Sequence, residues 1–284
     1  MAPSGIRSGA FAREEMKRRV WKIWRDLANP AKWFGEAERR YEGPREAEAL
    51  ALDLSAERVA RVLLLVTAGL VAWSLVTGLV GVLGGPFMRL FYVGADLSIP
   101  AWYSALVLVL ASVLLAIIAW ASSLGERPRH VRRWAVLAAI FAYLSCDEML
   151  RLHERLAETA LRPALDTLGF VPGGILYYPW VLVYAPLVAI FALAYFDFWR
   201  ELPQRTRRLF LAAGLIFVGG ALGVELFNAY HDEAPGRVPL VFAGTHVEES
   251  LEMVGAIVFV YALMSYLGSW TGLAELRIRL ARPL

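Results

Sequence analysis

The chain has 284 residues, 58% of them hydrophobic and 19% charged, with a formal net charge of +3. A mean hydropathy of +0.50 excludes an ordinary soluble domain and points to a membrane protein. A single cysteine excludes an intrachain disulfide, and the chain carries no HExxH, no CxxC, no Gly-rich phosphate loop and no nucleic-acid signature.

Residues 1–57 form a polar, charged N-terminal segment that does not read as a cleavable signal peptide. Within it, residues 13–34 are expected to form an amphipathic helix. Met16, Val20, Trp21, Trp24 and Leu27 fall at helical spacing opposite Lys17, Arg18, Lys22 and Arg25, and Pro30 ends the pattern. Such a helix suits the cytoplasmic headgroup layer, with the lipid bilayer as its partner. The alternative is a docking helix for a membrane-protein partner, using Trp21, Trp24 and Trp33. Residues 35–56 read as a charged linker broken at Gly43-Pro44.

Six apolar stretches come next, near 60–83, 101–123, 133–152, 175–198, 208–229 and 248–269. Each is long enough to cross about 30 Å of hydrocarbon. The expected fold is therefore all-α, a polytopic bundle of six transmembrane helices over 58–270, with an interfacial helix before it and a cytoplasmic tail over 271–284. Arginines cluster between spans two and three (Arg127, Arg129, Arg132, Arg133), between spans four and five (Arg200, Arg205, Arg207, Arg208) and after span six (Arg277, Arg279, Arg282). The opposite loops carry fewer, so the positive-inside rule places both termini in the cytoplasm. Lysine is confined to Lys17, Lys22 and Lys32, a bias that suggests a GC-rich bacterium and hence its inner membrane.

Tyr177, Tyr178 and Trp180 read as an interfacial aromatic belt on span four, as Trp102 and Tyr103 do on span two. Gly219 and Gly223 make a small-xxx-small step on span five, where another helix could approach. Cys146 falls inside a span, where a buried thiol is the default, with metal ligation the sharper alternative. Ser145 reads as a packing or hydrogen-bonding serine.

The informative residues are the acids and histidines within these stretches. Span three ends in Asp147-Glu148 with His153-Glu154 just beyond, span five holds Glu225, and span six opens with His246-Val-Glu248-Glu249-Ser-Leu-Glu252. Ionisable groups at a bilayer centre cost about 2.5–3.5 kcal/mol each, so they seldom occur there without a partner or a task. At 1.5 Å per residue, Asp147 lies about 21 Å from the cytoplasmic end of its span, Glu225 about 24–26 Å, Glu252 about 24 Å and Glu249 about 28 Å. Three independent segments thus place carboxylates in one outer layer. On span six, His246, Glu249 and Glu252 step by three along one face. On span three, His153 lies about 120° round from Asp147 on a straight helix, so either the helix breaks after Glu148 or these residues serve different ends. Arg151 offers a structural alternative, an ion-pair stripe with Asp147 and Glu154. Glu248 reads equally well as facing headgroups or water, and His231-Asp-Glu233 as a solvated loop.

Four motifs together resemble a family of mostly uncharacterised multi-pass bacterial inner-membrane proteins. They are Asp96-Leu-Ser-Ile-Pro100-Ala-Trp102-Tyr103-Ser104, Ser145-x-Asp147-Glu148-x4-His153-Glu154, Gly-Gly-Ala-x-Gly-x-Glu225, and Glu248-Glu249-x-x-Glu252-Met-x-Gly255. The similarity spans roughly 58–270, implies the same topology, flags the same polar residues and supplies no reaction. This chain has Ala101 where the family pattern has Thr.

The expected function is an extracytoplasmic carboxylate–histidine site that binds a metal, with Asp147, Glu148, His153, Glu154, Glu225, His246, Glu249 and Glu252 as candidate ligands. Mixed Asp/Glu/His donors suit Zn, Fe or Mn, and an all-carboxylate version suits Ca. A metal there could serve an enzyme acting on a lipid or other hydrophobic substrate. The alternatives are cation or proton permeation, and an accessory subunit of a larger membrane complex.

Overall fold

The computed structural model describes residues 50–80, 86–124, 130–232, 236–271 and 276–280. The expected interfacial helix lies outside these residues. The compact body runs from Leu52 to Ile278. Its long helices are α1 (Ala56–Val80), α3 (Ile99–Ser123), α4 (Val131–Leu150), α7 (Val181–Glu201), a continuous rod made of α8 (Gln204–Val218), a π-helical segment (Gly219–Val224) and α9 (Glu225–Asp232), and α10 (Val238–Thr271). Short helices α2 (Pro86–Phe91), α5 (Leu152–Leu156) and α6 (Arg162–Thr167) occupy the connections. Two short strands, β1 (Leu50–Leu54) and β2 (Leu276–Leu280), pair with one another.

Among the described residues, five helices are long and apolar enough to cross a membrane: α1, α3, α7, the α8–α9 rod and α10. The expected third span is the exception. Helix α4 carries Arg132 and Arg133 at one end and Asp147 and Glu148 at the other, so its charged ends set it apart from the five uninterrupted apolar helices. Two span boundaries also move. Pro172, Gly173 and Pro179 delay span four to Val181, and the apolar run Val238-Pro-Leu-Val-Phe-Ala starts span six ten residues early.

Helix α3 shows how such a span is built. Ser98 caps it, its hydroxyl accepting from Ala101 N at 3.2 Å, and Pro100 occupies the first turn where no N–H is needed. Ala105, Leu108, Ala111, Leu115, Ile118 and Ala119 are buried, while Trp102, Leu106, Val109, Val113 and Trp120 face outward. Two serine side chains tie α3 to antiparallel α4: Ser112 Oγ donates to Ala138 O (2.7 Å) and Ser145 Oγ to Ala105 O (2.9 Å). Ser145 is thus the hydrogen-bonding serine its setting suggested.

The apolar core fills one end of the bundle. Trp134 sits at its centre, edge-on to Phe198 (4.7 Å between centroids) and beside Tyr266 (5.3 Å), with Ile257, Val260 and Leu263 of α10 packed around it. Interhelical contact inside a bilayer rests on van der Waals fit, so small residues matter where backbones meet. The pair at Gly219 and Gly223 does not do this, since a Cβ at either would meet nothing within 4 Å. The close approach is at Gly220, whose added Cβ would lie 2.9 Å from Glu248 O, and at Gly255, where it would lie 2.7 Å from Phe217 N. Cys146 is exposed rather than buried, because it projects from the face of α4 opposite Ser145 and Asp147.

Candidate functional site

At the other end of the bundle the helices part around a cavity of about 390 Å³. Its wall is built by the end of α4, by α5, by the start of α7, by the π-helical segment with α9, and by α10. Seven of the eight candidate residues line it: Asp147, Glu148, His153, Glu154, Glu225, Glu249 and Glu252. Glu248, Asp96 and Glu158 add three further carboxyls to the six that these residues bring. Arg151 and His153 are the basic residues among the lining.

Helix α4 does break, and the break aims the histidine. Arg151 adopts a left-handed conformation (φ 47°, ψ 51°) and its N–H bonds back to Asp147 O. The chain then reverses enough for His153 to fold over Asp147. His153 N donates to Asp147 Oδ1 and His153 Nδ1 lies on Asp147 Oδ2, both at 2.8 Å. With Nδ1 held by the carboxylate, Nε2 is the nitrogen left to meet a ligand. The ring stands edge-on to Trp180 (4.7 Å) and Tyr184 (5.9 Å).

Of the alternative ion-pair stripe, Arg151 forms the Glu154 half but not the Asp147 half. It pairs with Glu154 and, at 2.7 Å, with Asp96 from the loop before α3. Glu158 pairs with Arg162 at 3.1 Å. These ion pairs account for Asp96, Glu154 and Glu158, and His153 accounts for Asp147.

The π-helical segment sets Glu225. A π turn inserts one extra residue, rotating the next stretch of helix by about 100° relative to an uninterrupted α-helix. Glu225 there accepts from Trp180 Nε1 at 3.2 Å. Its carboxyl also meets that of Glu248 within hydrogen-bonding reach. Glu248 accepts from Asn228 Nδ2 at 2.7 Å, and Asn228 Oδ1 is buried without a partner among the described residues. Ser104 of α3 reaches Glu148. Glu249 and Glu252 have no hydrogen-bond or ion-pair partner among the described residues. Tyr92, in the loop after α2, also lines the cavity, and burial together with nearby Glu249 and Glu248 raises its hydroxyl above the usual tyrosine range.

His246 is placed elsewhere. It is buried against α1, with Nδ1 on Phe242 O (2.8 Å) and Nε2 on Ser74 Oγ (2.9 Å), so both ring nitrogens are engaged. The spacing of three along α10 was real, but the helix presents that position to α1, not to the cavity. Conversely, Trp180 is no belt residue: it is buried, and it holds Glu225 and flanks His153. Asn228 carried no sequence signal, and Asp96 only its place in the motif that opens α3, since short polar residues near helix ends are ordinary caps and turns. Among the described residues, no three His, Cys, Asp or Glu side chains are grouped closely enough to make a ready metal cage.

These features define a helical membrane protein with an acid-lined cavity among its helix ends. The chain belongs to the family described as a domain of unknown function (DUF8692), whose model matches residues 59–267. That match covers every residue of the cavity. No curated protein and no solved structure matches the chain.

Proposed function

We propose that this protein is a six-span bacterial inner-membrane protein that binds a metal ion in the carboxylate chamber and uses it on a lipid or other hydrophobic substrate. One observation carries the reading. Glu148, Glu225, Glu248, Glu249 and Glu252 surround a single cavity and have no ion-pair partner among the described residues, the nearby cations being engaged by other acids. Left charged and desolvated, five such groups would cost on the order of 15 kcal/mol on insertion scales, as much as a whole domain's net stability. A bound cation or shared protons must offset this.

The Asp147–His153 pair favours the metal. A carboxylate holding Nδ1 while Nε2 faces a chamber of further carboxylates is the arrangement that orients and strengthens an imidazole ligand. His153, Glu148, Glu249 and Glu252 would supply a donor set suited to Zn, Fe or Mn by closing on the ion, since no three of them form a ready cage among the described residues. The metal would supply Lewis acidity at a polar head or linkage, and Glu225 or Glu248 would carry protons. The close Glu225–Glu248 carboxyls favour a second reading, a proton-sharing network without metal.

Elemental analysis of the purified protein separates the two. The metal reading expects about one Zn, Fe or Mn per chain in the native protein and its loss in Glu249→Gln and Glu252→Gln. Protein that stays metal-free after equilibration with each ion supports the proton network and overturns the metal. The placement of both termini in the cytoplasm and of the chamber on the outer side is part of this proposal, supported by the arginines that flank the opposite ends of the helices.

A further inference from the structure

Helix α7 touches its neighbours through side chains at two levels. Near its start, Tyr184 Oη and Tyr143 Oη of α4 lie 2.5 Å apart. Near its end, Tyr195 Oη donates to Arg133 O at 3.1 Å and Phe198 stands edge-on to Trp134 at 4.7 Å. Tyr184 and Tyr195 are separated by about 16 Å of helix, and the α4 residues they meet by a similar length. Between these bridges, every residue from 186 to 194 except Val188 is exposed. Leu187, Ile190 and Leu193 are 52%, 62% and 78% exposed along one face, and the exposed residues at 186, 189, 191, 192 and 194 carry the exposure around the rest of the circumference. A helix packed along a neighbour keeps one face covered, and this stretch keeps only Val188 partly so.

Val188 is also where this gap joins the chamber. It lines the cavity together with Leu144 of α4, Phe217 and Val218 of α8, and Ala221 and Leu222 of the π-helical segment. The cavity therefore has two ends of opposite character. One holds the carboxyls that lack an ion-pair partner among the described residues, together with His153, and the other is apolar and gives onto the gap between α4, α7 and α8.

We infer that this gap is a side portal through which the acyl chain of a membrane lipid lies between α4, α7 and α8, with its polar head in the carboxylate chamber. The inference rests on the chamber being the functional site and names the substrate class it takes. Position identifies the occupant. The gap is bordered by helix faces that are apolar and exposed at membrane-span level, so hydrocarbon is the medium that reaches it, and its inner end meets groups that seek a cation or a polar head.

The test uses the full chain in lipid nanodiscs containing phosphatidylglycerol with a photoactivatable diazirine midway along one acyl chain, with the adducts located by peptide mapping. Adducts are expected on Val188, Leu144 and Phe217. Their yield should fall about tenfold in Ala221→Trp and in Val188→Trp, which fill the portal, and stay unchanged in Leu193→Trp, which adds bulk on the open face. Adducts confined to outward residues such as Leu193 and Leu215, or undiminished yields in both filled variants, would overturn the portal. So would cross-links from these positions to a second protein chain. The mapping on the native chain needs no substitution and stands even if a variant misfolds. Metal content measured on the same samples keeps the two ideas apart. Lost adducts with unchanged metal isolate the portal, and retained adducts in a metal-free protein reject the metal alone.

Discussion

Asp147 and Arg151 show how a single backbone conformation changes what a motif means. On an unbroken helix Asp147 and His153 diverge by about 120°, and the left-handed turn at Arg151 closes that angle. Replacing Asp147 by Asn keeps the shape and removes the charge that fixes the imidazole. Metal affinity is expected to fall about 10–100-fold, the usual cost of losing such a partner, in a competition titration against a chelating dye. Unchanged affinity would mean that Asp147 is purely structural. Arg151 itself has two separable contributions, its ion pairs and its backbone. Both Arg151→Ala and Arg151→Gly lose the pairs to Asp96 and Glu154, but only glycine adopts φ 47° without steric cost. The glycine variant should therefore be about 1–2 kcal/mol more stable than the alanine variant in thermal unfolding in detergent. An alanine variant that melts at or above the glycine variant would show that the left-handed turn is absent.

At the level of elements, the apolar runs were legible because a span needs an uninterrupted stretch of hydrophobic residues and little else does. Convergence was legible too: counting 1.5 Å per residue put Asp147, Glu225 and Glu249 at a common level, and all three line one cavity. What counting could not reveal was rotation. It assumed an α-helix through Gly219 and Gly223, whereas the π turn there moves the close contact to Gly220 and swings Glu225. It also assumed that His246 shares the working face of Glu249 and Glu252, which depends on how α10 is rotated between α1 and the chamber. Trp180 was misplaced for the same reason, since an aromatic at a span end looks alike whether it faces headgroups or an acid. The glycine assignment has a direct test. Gly220→Val places a branched side chain against the α10 backbone at Glu248 and should cost about 1–3 kcal/mol, because a helix backbone cannot yield as a side-chain tip can. Gly219→Ala meets nothing within 4 Å and should be neutral or slightly stabilising. Equal losses in both would argue for an ordinary α-helix through this stretch.

For the whole molecule, the open question is whether α4 crosses the membrane, and the parity of the spans makes it measurable. Five crossings put the two termini on opposite sides, whereas six put them on the same side. The serine bonds Ser112–Ala138 and Ser145–Ala105 run α4 antiparallel along α3, and Trp134 packs at the core end while Asp147 and Glu148 reach the chamber. That geometry supports α4 as a sixth span despite its charged ends, because Arg132, Arg133, Asp147 and Glu148 all lie within one or two turns of its termini, where long side chains reach the interface or the cavity supplies a polar surface. Charge bias agrees. Were α4 not to cross, Arg200, Arg205, Arg207 and Arg208 and the C-terminal arginines would fall on the side opposite Arg132 and Arg133, against the positive-inside rule. Reporters fused before Met1 and after Arg282 are therefore both expected to be active only in the cytoplasm, and one inserted after Gly169, between α6 and α7, only outside. A cytoplasmic N-terminus with a C-terminal reporter active only outside would make α4 a buried, non-crossing helix. In that case the chamber, which draws on the ends of α4 and α10 alike, would have to open to the cytoplasmic side of one helix and the outer side of another. No single helical layer permits that, so this result would remove the outer-face site along with the sixth span.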